Sequence, residues 1–308
     1  MTKHIPVLLE ESVKALNIVN HGCYIDATFG SGGHSSSILS KLGDKGRLFS
    51  LDKDLDAISS SEARSLTDSR FAIEHGCFSN LEDFTHKWGV HGSVNGILFD
   101  LGVSSYHFDS AERGFSFDND GDIDMRYDQS RGLNAYDWIR DTDEKELADV
   151  IWRYGDERYS RRIARAIVNA RQLGDIRTTH QLADIINKSI PKTDHKKNNA
   201  TRTFQAIRIF VNKELDVLKK ALKDSYEILA PKGRLALITY HSLEDRVIKD
   251  FLVHTDESKS LPKKMPVKND FLMKMFNLIS KSIKPTASEI NSNKRARSAK
   301  LNILERCL

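Results

Sequence analysis

The sequence predicts an α/β protein in which a parallel, doubly wound sheet is split by an all-helical insert. Three observations carry this prediction. Four apolar runs bounded by turn residues alternate with helix-length segments, which is typical of parallel strands; they occupy 23–29, 47–51, 71–74 and 94–99. The alternation then stops, and helix signals follow to about residue 190. A long helix and the apolar run RLALITY return the chain to the sheet.

The first strands are separated by segments whose apolar residues recur at helical spacing. Leu9, Val13 and Leu16 share one face of a helix that begins behind Pro6. Leu55 and Ile58 form a shorter face between the second and third runs. Strands that alternate with helices in this way pack into one parallel sheet, so the first hundred residues form half of a doubly wound domain.

The insert is predicted over residues 109–199 because capping signals cluster there. Thr178 lies three residues before Gln181, as a capping box requires, and Asp141 stands three residues before Glu144. Gly155 follows a helical pattern at the place where a helix would end. We therefore predict a split sheet domain, 1–108 and 200–308, around an inserted helical domain, 109–199.

The segment after the insert is predicted to be one long helix over residues 203–229. Ile207, Val211, Leu218, Leu222 and Leu229 form its apolar stripe, and the residues Pro-Lys-Gly at 231–233 end it. Residues 277–283 and 299–305 alternate as a terminal pair of strands would. The polar stretch between these strands, like residues 255–270, is predicted to be loop.

Composition excludes several classes of protein. No apolar stretch of the 308 residues is long enough to span a bilayer, and MTKHIPVLLEE lacks the apolar core of a signal peptide. We expect a cytoplasmic protein that does not bind membranes. Cys23, Cys77 and Cys307 form no CxxC pair, so neither a disulfide framework nor a zinc site is indicated.

Basic residues are concentrated locally, although the net charge is only +4. The segment RYSRRIARAIVNAR carries Arg158, Arg161, Arg162, Arg165 and Arg171 without an acid, above a predicted buried face of Ile163, Ala166, Ile167 and Ala170. Further basic residues are Lys196, Lys197, Arg202, Arg208, Lys294, Arg295, Arg297 and Lys300. The arginine face is either solvated or a contact surface for the phosphates of RNA.

The segment DATFGSGGHS, residues 26–35, is typical of a turn that holds a nucleotide cofactor. Gly30, Gly32 and Gly33 let backbone amides approach a ligand, and Asp52 ends the next strand where a carboxylate can bind ribose hydroxyls. Ser35 stands where a dinucleotide motif requires a third glycine. The pattern favours S-adenosylmethionine, which has no pyrophosphate, over a dinucleotide or a purely structural turn.

Other side chains at predicted strand ends would share the same edge of the sheet. Phe78 could line an adenine slot or belong to the core, and Asp100 could meet the reacting group or cap a helix. His241 follows the fifth strand, as a catalytic or a structural histidine. The acidic segment DNDGDID does not fit a calcium loop, because Ser116 and Tyr127 occupy the positions that need carboxylates. No metal site is predicted.

Ten segments of the chain resemble one family, the RsmH (MraW) methyltransferases, in their order and spacing. They are HIPVLLEE, DATFGSGGHS, LDKD, GILFDLGVSS, SAERGFSFD, DIDMRYD, YGDERYSRRIARAIV, ATRTFQAIRIFVNKEL, YHSLEDRVIK and RARSAKLNILER. The resemblance spans nearly the whole chain. It implies a class I (Rossmann-like) S-adenosylmethionine-dependent methyltransferase domain with an inserted helical domain that contacts RNA.

The resemblance also implies a reaction and its residues. The reaction is methylation of the exocyclic N(4) amine of a cytidine in 16S ribosomal RNA of the small ribosomal subunit, with Asp100 and His241 as catalytic candidates. The cofactor-binding residues carried over are Gly32, Gly33, His34, Asp52, Phe78, Asp100 and His107. The family usually has Pro-Gln where this chain has Tyr106-His107, which motivates an alternative: a non-catalytic, cofactor-binding ribosome assembly protein. A homodimer is one oligomeric state left open.

Overall fold

A computed structural model describes residues 6–191, 199–257 and 274–308. The chain divides into two compact units. The sheet unit is Met1–Gly102 with Leu215–Leu308, and the helical unit is Val103–Glu214. The insert predicted over residues 109–199 lies inside the helical unit, and its exact limits stay a prediction. No helix among the described residues is long and apolar enough to cross a membrane.

Seven strands form one mixed sheet in the order β3-β2-β1-β4-β5-β7-β6. The strands are β1 (Cys23–Asp26), β2 (Arg47–Asp52), β3 (Phe71–His75), β4 (Val94–Asp100), β5 (Leu229–Thr239), β6 (Phe276–Ile283) and β7 (Lys300–Arg306). β1 to β5 run parallel, whereas β7 is antiparallel to both of its neighbours. The predicted α/β class and parallel sheet are confirmed.

The central strands are buried on both faces, which explains their continuous apolar runs. Side chains alternate across the sheet: Tyr24 and Leu98 belong to the core on one face, and Ile25 and Ile97 to the core on the other. Helices cover both faces. Among the described residues, the helices of this unit are α1 (Leu9–Ala15), α2 (Gly33–Leu39), α3 (Leu55–Ile58), α4 (Ser61–Ser65), α5 (Leu81–Lys87), α12 (Glu214–Ile228), α13 (Ser242–His254) and α14 (Ala287–Ser292).

The helical unit is built around its own core, in which Trp138, Ile151, Ile167 and Phe204 take part. Its helices are α6 (Ser105–Asp109), α7 (Ala135–Asp141), α8 (Glu144–Gly155), α9 (Ser160–Leu173), α10 (Thr179–Ser189) and α11 (Ala200–Asn212). The predicted capping box at Thr178 and Gln181 is present at the start of α10. The all-helical character of the insert thus follows from local capping as well as from apolar periodicity.

The single helix predicted over residues 203–229 is wrong: the segment forms α11 and α12, which are separated at Lys213. Lys213 has a φ of 53°, a left-handed conformation that ends α11. The apolar stripe therefore serves two cores, since Ile207 belongs to the helical unit and Leu218 to the sheet unit. Residues 231–233 do not end the helix either; they lie within β5, where the pairing with β4 shifts register.

The predicted terminal strands are confirmed as β6 and β7, but the polar stretch between them is more ordered than expected. It contains α14 and a 3₁₀ turn, Lys294–Ser298. Both have a side-chain cap, because Thr286 Oγ1 accepts from the backbone N–H of Glu289 and Asn293 Oδ1 accepts from that of Arg295. Most of the loop predicted at 255–270 lies outside the described residues.

Candidate active site

Three strands of the sheet unit end in an aspartate at the same edge of the sheet. Asp26 ends β1, Asp52 ends β2 and Asp100 ends β4. β1 pairs with β2 on one side and with β4 on the other, so the direction of winding reverses between β1 and β4. Ligands of open α/β sheets bind at such a switch point, beyond the carboxyl ends of the strands.

The glycine loop begins at this switch point and leads from β1 into α2. Gly30 and Gly32 have φ values of +56° and +74°, which residues with a Cβ rarely adopt. Gly33 is required for a different reason: a Cβ there would lie 2.1 Å from the ring of Pro6. A Cβ on Gly30 would meet no atom of the described residues within 4 Å, so the loop is open to an approaching ligand on that side.

Asp52 fixes the glycine loop through its carboxylate. Oδ2 accepts a hydrogen bond of 2.7 Å from the Gly30 N–H, and Oδ1 accepts one of 2.8 Å from the Asp54 N–H. The sequence analysis missed this anchoring role, which a sequence separation of 22 residues conceals. A carboxylate oxygen has two acceptor sites, so these bonds are compatible with the predicted binding of ribose hydroxyls.

A buried chain of hydroxyls explains why position 35 is a serine. Ser35 Oγ donates to Asp26 Oδ2 at 2.7 Å, and Ser50 Oγ lies 2.9 Å from Ser35 Oγ. Because the Ser35 proton is committed to Asp26, Ser50 is the donor of the second bond. All three side chains are buried. Burial raises the pKa of Asp26 to about 7; the bonds from Ser35 and Thr28 oppose this shift, and the charges of Asp100 and Asp52 add to it.

Asp100 is held at the end of β4 by three neighbours. Its Oδ1 accepts hydrogen bonds from the Tyr240 hydroxyl at 2.9 Å and from the Gly102 N–H at 3.2 Å. Its own backbone N–H donates to Thr28 Oγ1 at 2.7 Å. The two bonds to the side chain both end on Oδ1, so they orient the carboxylate without engaging Oδ2. The side chain is 22% exposed, so a ligand can reach it.

Tyr240 remains protonated at this site and therefore acts as a donor. Burial raises the pKa of its phenol well above the usual value, and the neighbouring Asp100 charge raises it further. The ring packs closely over Gly102, where a Cβ would lie 2.8 Å from the ring. The glycine after Asp100 thus permits the bond between the ends of β4 and β5.

His34 at the start of α2 is brought beside Asp100. Its Nε2–H donates to the carbonyl of Val7 at 3.1 Å, since a carbonyl can only accept. Nδ1 lies 4.0 Å from Asp100 Oδ2.

Phe78 follows β3 in a short 3₁₀ turn and is only partly buried, with its ring edge-on to Phe99 at 5.4 Å. This position suits both of its interpretations, as a core aromatic and as one wall of an adenine slot.

His241 is oriented by the start of α13. Glu244 accepts hydrogen bonds from the backbone N–H groups of Tyr240 and His241, at 2.7 and 3.2 Å, and its other oxygen lies 3.1 Å from His241 Nε2. The imidazole is only 10% exposed. Neither ring nitrogen of His241 makes a hydrogen bond with a described residue, and the catalytic role of His241 stays a prediction.

The structure places His107 in the helical unit. It is buried between aromatic rings, 4.7 Å from the ring of Phe115 and 5.2 Å from that of Tyr127. Sequence reasoning associated it with the cofactor only through the family resemblance, and that role stays a prediction.

Arg113 organises the helical unit and was missed by the sequence analysis. Although it is an arginine, it is only 2% exposed. Its guanidinium donates to the carbonyls of Arg126 and Tyr127, at 3.1 and 2.9 Å. It thereby connects the segment SAERGFSFD to DIDMRYD.

The acidic segment between these two makes contacts within the protein. Asp120 accepts a hydrogen bond from the backbone N–H of His180 in the first turn of α10, and this bond lowers the pKa of Asp120.

The arginines of α9 differ in their availability. Arg161 and Arg162 are exposed, whereas Arg171 donates to the carbonyl of Ile139 and Arg165 lies 3.4 Å from Glu144. Arg208, in α11, forms a two-pronged pair with Glu214 and is withdrawn from solvent.

Two details of the predicted α9 surface are wrong. Arg158 precedes the helix and lies over the ring of Tyr159. The buried face contains Ala164, at 0% exposure, where Ala166 was predicted. Lys196 and Lys197 lie outside the described residues.

Comparison with known proteins identifies the family. The sequence profile of the MraW methylase family matches residues 1–307. The chain belongs to the MraW methylase family. Its sequence is 48% identical over 306 residues to ribosomal RNA small subunit methyltransferase H of Legionella pneumophila (strain Corby), with 99% of each chain covered. The protein of the same name from Nitrosococcus oceani is 46% identical over 307 residues, covering 99% of this chain and 98% of the relative.

A solved rRNA methylase from Streptococcus thermophilus aligns over 99% of each chain, at 12% identity and a TM-score of 0.44. As an MraW methylase, the chain is an S-adenosylmethionine-dependent methyltransferase with a Rossmann-like sheet, which confirms the predicted enzyme class and cofactor.

The residues of the sheet unit fit that cofactor. The loop is open beside Gly30, and the carboxylates of Asp52 and Asp100 stand at the same strand edge. The Asp52 carboxylate can accept from ribose hydroxyls, and the negative charges at this edge suit a cationic sulfonium donor. The individual cofactor contacts of this MraW methylase stay predictions, as do its catalytic residues.

Proposed function

We propose that the protein transfers a methyl group from S-adenosylmethionine to the exocyclic N(4) amine of a cytidine in 16S ribosomal RNA. The substrate is supported by relatives that are named ribosomal RNA small subunit methyltransferase H and that align with this chain over 98–99% of their own length. The observation that carries the chemistry is the fixed carboxylate of Asp100, at the switch point beside the glycine loop.

The demand of this reaction is mainly positional. S-adenosylmethionine, when bound, supplies a strongly activated methyl group, but the lone pair of a cytosine amine is delocalised into the ring. A hydrogen-bond acceptor that holds the amine can turn that lone pair out of conjugation. Asp100 Oδ1 is engaged by Tyr240 and Gly102, so Oδ2 is the atom that accepts from the amine and receives its proton.

His34 and Tyr240 flank Asp100, and of the two only Tyr240 is hydrogen-bonded to it in the structure. The hydroxyl of Tyr240 fixes the plane of the carboxylate, and His34 Nδ1 stands 4.0 Å from the working oxygen. Gly32, Gly33, Asp52 and Phe78 hold the cofactor at the same edge of the sheet. His107 of the helical unit and His241 after β5 complete the predicted set of site residues.

The helical unit supplies the surface for RNA. Arg161 and Arg162 project from the exposed side of α9, and phosphate oxygens are the natural partners of such guanidinium groups. A cytidine must be unpaired or flipped out to reach a pocket at a sheet edge. We therefore propose that single-stranded or locally opened rRNA is the substrate.

The test is transfer of label to a mapped nucleotide. Wild-type protein, Asp100→Asn and the control Asp250→Asn, an exposed residue of α13, are incubated with labelled S-adenosylmethionine and small subunits from a strain that lacks the activity. We expect N(4)-methylcytidine with the wild type and the control, and a rate roughly 100-fold lower with Asp100→Asn. Label absent from cytidine amines in the wild-type reaction would refute the proposal.

Membership of the methylase family favours turnover over the alternative of a non-catalytic assembly protein. The same assay separates the two, because an assembly protein would bind S-adenosylmethionine without transferring its methyl group. A homodimer and a cytoplasmic location stay predictions. Light scattering at micromolar concentration would measure the first, and fractionation of cells the second.

A further inference from the structure

A cluster of possible metal ligands lies in the sheet unit, apart from the residues of the proposed active site. The α5 cluster consists of Glu82, His86 and His91, each of which offers one ligand atom within 4.8 Å of the others. The rings of His86 and His91 stack, with centroids 3.9 Å apart. None of these residues has a part in methyl transfer as described above.

The backbone brings the three residues together by a defined helix end. Glu82 and His86 are four residues apart and share one face of α5. Gly89, at φ +70°, ends the helix, and the N–H groups of Gly89 and Val90 donate to the carbonyls of His86 and Thr85. This pair of bonds is a Schellman motif, which turns the chain back over the last helical turn. His91 is thereby placed beside His86.

Hydrogen bonding fixes the tautomer of His91 in the form that binds metals. The hydroxyl of Thr85 donates its only proton to the carbonyl of Glu82, at 2.8 Å. Its oxygen lies 3.0 Å from His91 Nδ1, so Nδ1 must carry the hydrogen and donate. The lone pair of His91 is therefore on Nε2. Metal-binding histidines are oriented by such a bond from their other ring nitrogen.

A cation close enough to act on Glu82 electrostatically is engaged by another carboxylate. Lys220 contributes charge near Glu82, but its ammonium donates to Asp224 at 2.7 Å. Glu82 itself is half-buried. It therefore faces two imidazoles rather than a competing ion pair.

The chemistry of these ligands selects the ion. Two imidazole nitrogens and one carboxylate suit Zn²⁺, which takes three protein ligands and a water in open tetrahedral sites. Two ligands at zinc distances lie about 3.3 Å apart, so the 4.8 Å spread closes with small side-chain rotations. His86 is exposed and free to make them.

We propose that the α5 cluster binds one divalent transition-metal ion, with zinc as the best fit, through Glu82, His86 and His91. The ion would fasten the turn between α5 and β4. It has no part in the methyl-transfer step. The sequence analysis predicted no metal site from the cysteines or from the acidic segment, and it missed this cluster because His91 lies beyond the end of α5, where spacing does not reveal it.

Zinc titration of untagged, chelator-treated full-length protein in the presence of S-adenosylmethionine tests the proposal. Competition with a chromophoric chelator should show that the wild type binds one equivalent of zinc tightly. The zinc affinity of His91→Ala and of Glu82→Gln should be lower by at least about 10-fold. Thr85→Val keeps every ligand but removes the orienting oxygen, and should weaken binding about 10- to 100-fold. His254→Ala, which removes an exposed histidine at the end of α13, is the control and should bind like the wild type.

Two readouts confirm that the ion is bound at this place. Zinc should raise the melting temperature of the wild type but not of His86→Ala/His91→Ala, because only the folded site binds. Cobalt in place of zinc should give the visible absorption of a tetrahedral site. Equal zinc affinity in the wild type and the double variant would overturn the proposal, and unchanged affinity in Thr85→Val would overturn the assigned orientation of His91.

Discussion

The hydroxyl of Tyr240 donates a hydrogen bond of 2.9 Å to Oδ1 of Asp100, and this bond joins the ends of β5 and β4. The two residues are 140 positions apart in the chain, on either side of the whole helical unit. The bond gives the two oxygens of this carboxylate different roles: the protein holds Oδ1, and in the proposed reaction Oδ2 accepts from the substrate amine.

Tyr240→Phe should slow methyl transfer without abolishing cofactor binding. Loss of one hydrogen bond to a charged acceptor costs about 1.5–3 kcal/mol, so we expect kcat to fall roughly 10- to 100-fold while KM for S-adenosylmethionine changes little. Steady-state kinetics on rRNA would measure both. Tyr226→Phe, which alters a tyrosine that packs against Phe276 in the same unit, is the control. An unchanged kcat would show that Asp100 needs no support from Tyr240.

Asp52→Ala should weaken the binding of S-adenosylmethionine by roughly 1–3 kcal/mol. The substitution removes the predicted ribose acceptor and also the acceptor for the Gly30 N–H, so the loop loses an anchor. Calorimetric titration of the variant against the wild type would give the difference, with Asp250→Ala as a control on α13. If the affinity is unchanged, the assignment of Asp52 to the ribose is wrong.

Asp26→Asn should flatten the pH dependence of stability. The Asp26 carboxyl has its pKa raised from 3.8 to about 7 by burial, so between these values the unfolded chain releases a proton that the folded protein keeps. The free energy of unfolding therefore falls as pH rises from about 4 to about 7, by roughly 4 kcal/mol from this group. Above pH 7 its contribution is constant.

Urea unfolding without cofactor, at pH 5, 6, 7 and 8, would measure this effect. The difference between wild type and Asp26→Asn should shrink as pH falls, because the wild-type carboxyl in the folded protein is then protonated and neutral, like the amide. Asp250→Asn should run parallel to the wild type at every pH. A constant difference between wild type and Asp26→Asn would contradict the raised pKa.

Arg161→Gln/Arg162→Gln should weaken RNA binding and leave cofactor affinity intact. For each guanidinium–phosphate pair that the substitutions remove, the slope of log affinity against log salt should become shallower by about 0.7, the value for single strands. Filter binding of rRNA fragments at several salt concentrations gives this slope. A matched control, Arg64→Gln/Lys223→Gln, removes two exposed charges from the sheet unit. If both double variants bind RNA alike, the α9 arginines are merely solvated.

Much of the sheet could be predicted because its central strands are buried on both faces and form uninterrupted apolar runs in the sequence. Asp52 and Asp100 were found for the same reason, as the first charged residues after such runs. The break between α11 and α12 could not be predicted, since Lys213 takes a left-handed conformation without the glycine that signals one. Arg113 was missed because arginine is rarely buried and its acceptors are backbone carbonyls, which the sequence does not distinguish.

Ser35 stands where a dinucleotide motif has a third glycine, and the structure gives a second reason for a serine at this position. Its presence in place of a third glycine was interpreted as a preference for one cofactor over another. In the structure the Ser35 hydroxyl is hydrogen-bonded to Asp26 and Ser50, so the residue also stabilises the end of the glycine loop against β1 and β2. The sequence shows only that position 35 is a serine. The structure is needed to see that this serine also has a role in hydrogen bonding within the protein.

The position of β7 between β5 and β6 affects how the chain can be assembled. β5 pairs with residues more than sixty positions later, Ala236 with Ile303 for example, so its outer edge has no partner until residues 300–306 have been synthesised. An unpaired edge of apolar strand is a template for aggregation. A nascent chain on the ribosome must therefore pass through a stage in which this edge is bare, and shielding by a chaperone would matter most at that stage.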